Sequence, residues 1–404
     1  MSENSRVRAQ TAAARLASRT LARADAAARG GFLACLAAAL RARTDHIVAA
    51  NDVDIAAARA AGLDAAIIDR LLLDPRRIEA MARDVEHVAT LPDPLAQRFD
   101  ERALPNGLRV HRRRVPLGVL AVIFESRPNV TIDIAALAIR SGNAAVLRGG
   151  KEAIHSNRAL AALVRSALNE SGLPAEAVQF LDSTDREDTR TLLQLDESID
   201  LVIPRGGAGL HAFCRRESRI PVITGGIGIC HLYVDRAADL SRALPVIRNA
   251  KVQRPTVCNA LDTLLVHADV AADFVPAVVT ALGLEGVRFR CDPASLPLAE
   301  SVAGAECAPA GPEDFDTEWL SLVLGIRVVV DADEAMAHIE AHSSGHSDGI
   351  LSEDAALARA FLERIDSAAV YWNASTRFTD GAQLGLGAEV AVSTQRLHAR
   401  GPMG

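Results

Sequence analysis

Through residues 1 to about 97, apolar positions recur at helical spacing in an Ala-rich background, which predicts several helices. Asn51-Asp52 and Ala61-Gly62-Leu63-Asp64 supply breaks and caps between them. The character changes at about residue 98. Segments 98–104 and 108–115 flank Pro105-Asn106-Gly107, and Asn-Gly is the favoured pair for a tight hairpin turn. The second arm carries many charges, so it reads as an edge or an interface ribbon, not a core strand.

From Pro116 the period alternates between strand and helix. Strands are expected over 119–124, 144–148, 178–181, 201–203 and 222–224, with helices over 131–141 and 153–170. Gly142 is placed to cap the first of these helices. Such alternation implies parallel βαβ units with helices on both faces. Ligands bind such sheets at the carboxyl ends of strands, which puts 124–129, 148–151 and 204–207 at one ligand edge. After a helix over 240–252 a second set follows, with strands over 261–266, 326–330, 348–351 and 368–372. Its helices are expected over 271–282, 333–342 and 354–364, giving a second α/β domain with its own sheet.

Composition narrows the function. The 404 residues are 49% hydrophobic and 24% charged, ordinary for a globular chain of two or three domains. A net charge of −7 disfavours binding to a nucleic-acid backbone. No apolar run approaches the ~18 residues that span a bilayer. Cysteines 35, 214, 230, 258, 291 and 307 are scattered, with no Cys-x-x-Cys pair, so neither a zinc ribbon nor a disulfide framework is suggested. The Arg- and Ala-rich start reads as an amphipathic helix carrying Glu3 and Asp25 instead of a transit peptide, and a cytoplasmic protein is expected. Of 44 basic residues only Lys151 and Lys251 are lysines, and both lie in segments that look chemical.

The first such segment is Asn249-Ala-Lys251-Val-Gln-Arg254-Pro-Thr-Val-Cys258-Asn259-Ala260. It places a cysteine in a polar loop with Lys251 and Arg254 nearby, and cations raise the thiolate fraction of a thiol. The competing reading is a buried small hydrophobe. The second is the run from Phe124-Glu125-Ser126-Arg127-Pro128-Asn129 to Arg148-Gly149-Gly150-Lys151. Its glycines let backbone approach phosphates, and Arg148 and Lys151 supply positive charge. It is neither a Walker loop nor the G-x-G-x-x-G fingerprint. His338, His342 and His346 repeat every fourth residue, but Ser343-Ser344-Gly345 is expected to end the helix after His342, and no metal site is assigned.

These segments resemble the aldehyde dehydrogenase superfamily, specifically its γ-glutamyl phosphate reductase branch. The matching stretches are 124–129, 147–151, Ile203-Pro-Arg-Gly206-Gly207, Gly225-Gly226-Ile-Gly-Ile-Cys230-His231, Gln253-Arg254-Pro255 with Cys258-Asn259, 370–380, 385–390 and 393–404. The resemblance runs from about residue 10 to the end and implies an α/β protein of the aldehyde dehydrogenase fold. It implies an NADPH-binding domain over 1–97 and 116–245, a catalytic domain over 246–375, and an oligomerisation element from 98–115 and 376–404. The resembling sequences continue past Gly404, so the C-terminal interface is expected to be affected more than the chemistry.

The implied activity is NADPH-dependent reduction of L-glutamyl 5-phosphate to L-glutamate 5-semialdehyde and phosphate, in proline biosynthesis. Cys258 falls on the nucleophile position, and Asn129 is the expected oxyanion donor alongside the Cys258 backbone N–H. Arg148, Gly149, Lys151, Gly206, Gly207, Gly225, Gly226 and Glu318 are expected to bind the cofactor, Glu318 by matching the residue that holds the nicotinamide ribose in relatives. NAD-preferring relatives read Lys-x-x-Glu where this chain reads Arg148-x-x-Lys151, which favours NADPH. Arg127, Arg254 and Lys251 are expected to bind substrate and phosphate. Non-phosphorylating relatives carry a water-activating Glu in a Glu-Leu-Gly-Gly stretch; the matching Thr224-Gly225-Gly226-Ile227 has no carboxylate. The alternatives are such a water-using dehydrogenase and a non-catalytic partner of the upstream glutamate 5-kinase. A homo-oligomer, and association with that kinase, are the expected partnerships.

Overall fold

The computed structural model describes residues 3–225, 227–397 and 400–402. The chain divides between Thr224 and Gly225 into two units. The first opens with helices α1 (Glu3–Leu21), α2 (Ala26–Ala42), α3 (Thr44–Ala60), α4 (Ala65–Leu71) and α5 (Pro75–Thr90). Asp25 caps α2 by accepting from Ala28 N at 2.7 Å, and Asp74 caps α5 with Pro75 in its first turn. Phe32, Leu36 and Leu40 recur at four-residue spacing on α2 and are all buried. No helix among the described residues is long and apolar enough to cross a membrane.

Strands β1 (Arg98–Ala103) and β2 (Arg109–Arg113) pair antiparallel across the Asn106-Gly107 turn. Their residues are almost all exposed, as the charge pattern requires. Next come β3 (Val119–Phe124), α6 (Val130–Arg140), β4 (Ala144–Arg148), α7 (Ile154–Glu170), β5 (Val178–Phe180), α8 (Arg186–Leu192), β6 (Leu201–Arg205) and α9 (Ala208–Glu217). Gly142 ends the turn after α6 at φ +77, a conformation that glycine takes without a Cβ clash. The sheet order is β5-β4-β3-β6, all parallel. The order reverses between β3 and β6, so the loops that follow them, 125–129 and 206–207, flank the crevice where such sheets bind ligands. The strand expected over 222–224 is instead a single bridge from Val222 to Val202, too short for a ladder.

The second unit contains β7 (Cys230–Val234), α10 (Leu240–Val252), β8 (Leu261–His267), α11 (Ala268–Gly283), β9 (Arg288–Cys291), α12 (Leu296–Glu300), β10 (Cys307–Pro309), β11 (Val323–Val329), α13 (Ala332–His342), β12 (Ser347–Leu351), α14 (Ala355–Arg364) and β13 (Ala369–Trp372). Its parallel sheet has the order β10-β9-β11-β8-β7-β12-β13. The expected boundary at 245/246 is therefore corrected to 224/225: β7 sits between β8 and β12, and α10 packs in the same core. The boundary at 375/376 also moves. Thr376 Oγ1 donates to Asn259 O at 2.7 Å and Asn259 Nδ2 to Thr379 O at 3.0 Å, so the start of the tail is fastened to the segment that carries Cys258.

One face of this sheet holds buried histidines. The His231 backbone N–H donates to Asp348 Oδ1 at 2.9 Å, and its Nδ1 lies 3.0 Å from the same oxygen. His338 and His342 stack on α13 with centroids 4.3 Å apart, and His338 meets Phe315 edge-on. Burial pushes His338 down to about 2 and His346 down to about 4. Both are therefore neutral in the folded protein, whereas the unfolded chain binds their protons below about 6.5. Stability is accordingly lost as pH falls from 6.5, until about 4 for His346 and about 2 for His338. Each group contributes at most about 1.4 kcal/mol per pH unit. His338→Phe should flatten the fall of melting temperature between pH 6.5 and 4 relative to the parent chain; parallel curves would contradict this account.

Candidate active site

Cys258 lies in the turn between α10 and β8, three residues before Leu261 begins the strand. Pro255 ends the helix because it offers no N–H. The thiol residue is half-buried. Three other loops come to the same amino edge of the sheet: 227–229 before β7, 317–322 before β11, and 343–346 before β12. Contacts between them are close. A Cβ on Gly228 would stand 1.6 Å from the Cys258 carbonyl oxygen and 2.8 Å from its Cα, so only glycine fits there. The Cys230 thiol donates to the Cys258 carbonyl at 3.2 Å, and Glu318 Oε1 accepts from Gly228 N at 2.9 Å.

Lys251 requires a correction. Its side chain is 0% exposed, and Nζ donates to Leu261 O at 2.8 Å. Nζ also lies 3.9 Å from Asp262 Oδ1, itself on a residue that is 2% exposed. An ammonium so enclosed has no face left for a phosphate. Ala243, Ile247, Ala250 and Lys251 share the buried face of α10, so the helix turns Lys251 inward. Burial lowers the Lys251 pKa and raises that of Asp262, and the attraction between the two opposes both shifts. Breaking such a pair by removing one partner costs ~3–5 kcal/mol.

Arg254 is exposed beside the thiol loop. The sequence reading missed a second arginine. Arg377, just after β13, is half-buried and bonds Gln253 Oε1 through Nε at 3.3 Å. Burial lowers its pKa, the Arg254 charge lowers it further, and the Cys258 sulfur opposes both. Arg377 thus feels the charge of both Arg254 and the Cys258 sulfur. Arg377 was legible only as part of the 370–380 stretch, because more than a hundred positions separate it from the cysteine. Gly225 is close to the tail, where a Cβ would lie 3.0 Å from Val392 O. Gly226 lies outside the described residues.

In the first unit the predicted ligand edge is built from β3, β4 and β6. Gly207 is the N-cap of α9 without a side-chain cap, and the space above Gly207 and Gly209 is open. Open helix N–H groups suit an anionic group. The occupant of one of them is internal: Glu125 Oε2 accepts from Gly207 N at 3.1 Å. A Cβ on Gly206 would strike that carboxylate at 2.3 Å, and one on Gly149 would strike Asn157 at 2.1 Å. Arg148 is half-buried, donates to Gly149 O at 3.1 Å, and has its pKa lowered by burial against the pull of Glu152 and Glu125. Lys151 and Arg127 are exposed. The glycines, the open helix end, Arg148 and Lys151 fit a dinucleotide, provided Glu125 yields its N–H. Asn129 Nδ2 donates to Asp133 Oδ2 at 2.9 Å, and burial pushes Asp133 up to about 7. Among the described residues no group of three or more His, Cys, Asp or Glu is arranged to hold a metal ion.

The aldehyde dehydrogenase family model matches residues 1–287. The chain is 56% identical over 393 residues to the gamma-glutamyl phosphate reductase of Aeromonas salmonicida, covering 97% of this chain and 94% of that one. It is 54% identical over 396 residues to that of Roseiflexus castenholzii, covering 97% and 93%. The crystal structure of gamma-glutamyl phosphate reductase from Thermotoga maritima superposes with a TM-score of 0.93 at 43% identity, covering 98% of this chain and 95% of that one.

The contact at Gly228 makes a sharp expectation. Gly228→Ala has no room without moving the Cys258 backbone, so activity should fall at least about a hundredfold, in line with the sensitivity of reacting groups to displacements near 1 Å. Turnover within threefold of the parent chain would show that the two loops are not held in this contact.

Proposed function

Because the chain belongs to the aldehyde dehydrogenase family, on its γ-glutamyl phosphate reductase branch, we propose that it reduces L-glutamyl 5-phosphate to L-glutamate 5-semialdehyde and phosphate, with NADPH as its reductant. The observation that carries this reading is a half-buried thiol, Cys258, in electrostatic contact with Arg377, which in turn feels Arg254. An acyl phosphate brings a phosphate dianion as leaving group, and two arginines are suited to take it.

The Cys258 thiolate attacks the acyl carbon, the C–O bond to phosphate breaks, and phosphate leaves with its electron pair toward Arg254 and Arg377. Cys258 then holds the acyl group as a thioester. The cofactor's chemistry is hydride donation from reduced nicotinamide. After that transfer the Cys258 thiolate leaves and the aldehyde is released. The Asn129 amide and the Cys258 backbone N–H are the proposed donors to the oxyanion. Arg148, Gly149, Lys151, Gly206 and Gly207 are the proposed nucleotide-phosphate ligands, with Gly225 and Glu318 toward the nicotinamide. Arg127 is proposed for the substrate carboxylate. Thr224 stands in the stretch where water-using relatives place a carboxylate, which favours phosphate over water as acyl acceptor. We place the enzyme in the cytoplasm as a homo-oligomer, with β1, β2 and the tail beyond 380 as its interface element and glutamate 5-kinase as its proposed associate.

Cys258→Ser should abolish turnover while leaving NADPH binding and melting temperature unchanged, because an alkoxide is far harder to form than a thiolate near neutral pH. Retention of more than about one per cent of activity would remove Cys258 from this role. Arg254→Gln and Arg377→Gln should each raise KM for phosphate in the reverse reaction by roughly ten- to hundredfold, with KM for NADP little changed. Equal damage to both constants, together with a lower melting temperature, would mean the arginines only hold the loop. Lys151→Glu should weaken NADPH selectively over NADH; equal losses would reject Lys151 as the 2′-phosphate ligand.

A further inference from the structure

All but two of the 44 basic residues are arginine, and the one buried lysine faces a buried aspartate. That carboxylate reaches two loops at once. Asp262 Oδ1 accepts from Trp319 N at 3.1 Å, and Oδ2 accepts from Cys230 N at 3.3 Å. Neither contact belongs to the strand ladder. Paired residues of β8 and β11 begin at Thr263 and Gly325, beyond the loop that carries Glu318. The same loop holds Leu320 at φ +47, a left-handed conformation that a residue with a branched side chain adopts only when its surroundings enforce it. Two tethers hold this loop just before Leu320: Gly228 N on the Glu318 carboxylate, and Asp262 on the next backbone N–H.

We propose that Asp262, 3.9 Å from the Lys251 ammonium, is a positioning residue for the cofactor carboxylate Glu318, fixing its loop against β7. The proposal rests on the reading of Glu318 as the group that takes the nicotinamide ribose. A carboxylate is needed because both of its oxygens accept; an asparagine would turn an N–H₂ group toward one of the two N–H donors. A lysine is needed because its compact ammonium fits between Leu261 O and Asp262, where a planar guanidinium has five N–H groups to satisfy. Through Cys230 the same carboxylate is coupled to the loop of the nucleophile, since the Cys230 thiol bonds the Cys258 carbonyl.

The test is a double-mutant cycle on the full chain, read in KM for NADP, KM for phosphate, kcat and melting temperature. Glu318→Gln and Asp262→Asn should each raise KM for NADP roughly tenfold, within the range for a charge-assisted contact. The double variant should be no worse than Glu318→Gln alone, and KM for phosphate should move less than about threefold in all three. Multiplying effects in the double variant, or Asp262→Asn lowering only the melting temperature, would overturn the proposal. An unchanged KM for NADP in Glu318→Gln would instead overturn the reading of Glu318, and the proposal with it. If Asp262→Asn does not fold, Lys251→Met with Asp262→Leu removes both buried charges and still lacks the tether. That variant should show the raised KM for NADP, and parent-like KM would overturn the proposal. In a Trp372→Phe background Trp319 is the remaining tryptophan. Loss of the tether should red-shift its emission and increase acrylamide quenching below the melting transition; unchanged emission counts against it.

Discussion

Two buried charges, Lys251 and Asp262, occupy the place on which the arrangement of the second unit turns. Parallel strands fix one another only where their ladders run. Here the ladders begin at Cys230 with Leu261, and at Gly325 with Thr263. Gly228, Cys258 and Glu318 all precede them. Their relative positions are set by one carboxylate that accepts two backbone N–H groups, one ammonium whose charge opposes the effect of burial on it, and one glycine that lets two backbones touch. Burying such a pair carries a desolvation cost, and apolar residues of similar volume would often be as stable. What the pair adds is definition of loops that the sheet leaves free.

The two units present their chemistry at opposite kinds of sheet edge. In the first, the polar loops follow β3 and β6 at their carboxyl ends, where the strand order reverses and helix α9 offers its open N-terminus. In the second, the residues of interest precede β7, β8, β11 and β12 at the amino edge. The first arrangement suits anions because helix N-termini point there. The second draws its positive charge from side chains, Arg254 and Arg377, since helices that end at that edge do so with their carbonyls.

Most of the first unit was legible in its sequence. The strands over 119–124 and 144–148 match the structure to the residue, because each is a clean apolar run with a clear stop. The strand β7 was not foreseen. Its Cys230-His231 start follows a glycine-rich stretch and reads as polar until Asp348 is seen to meet the histidine's backbone N–H and Nδ1. Strands β9 and β10 are too short to show a period. Cys258 was singled out by its loop and assigned as nucleophile only through the family resemblance, whereas Lys251, expected at phosphate, is buried. The helix period that runs through Ala243, Ile247 and Ala250 already turned it inward, and charge near a cysteine was weighed above phase. Asp262 went unseen, and Arg377 showed only within the 370–380 stretch, for another reason: their roles depend on contacts across tens of positions or more.

The central claim is that a thioester on Cys258 exchanges with phosphate and not with water. Initial rates of NADP reduction with glutamate semialdehyde, measured across phosphate concentrations from none to saturating, test it most directly. The account predicts a rate that rises from near zero and saturates with phosphate, with one phosphorylated product per NADPH formed. A full rate in phosphate-free buffer, with free glutamate as product, would contradict it.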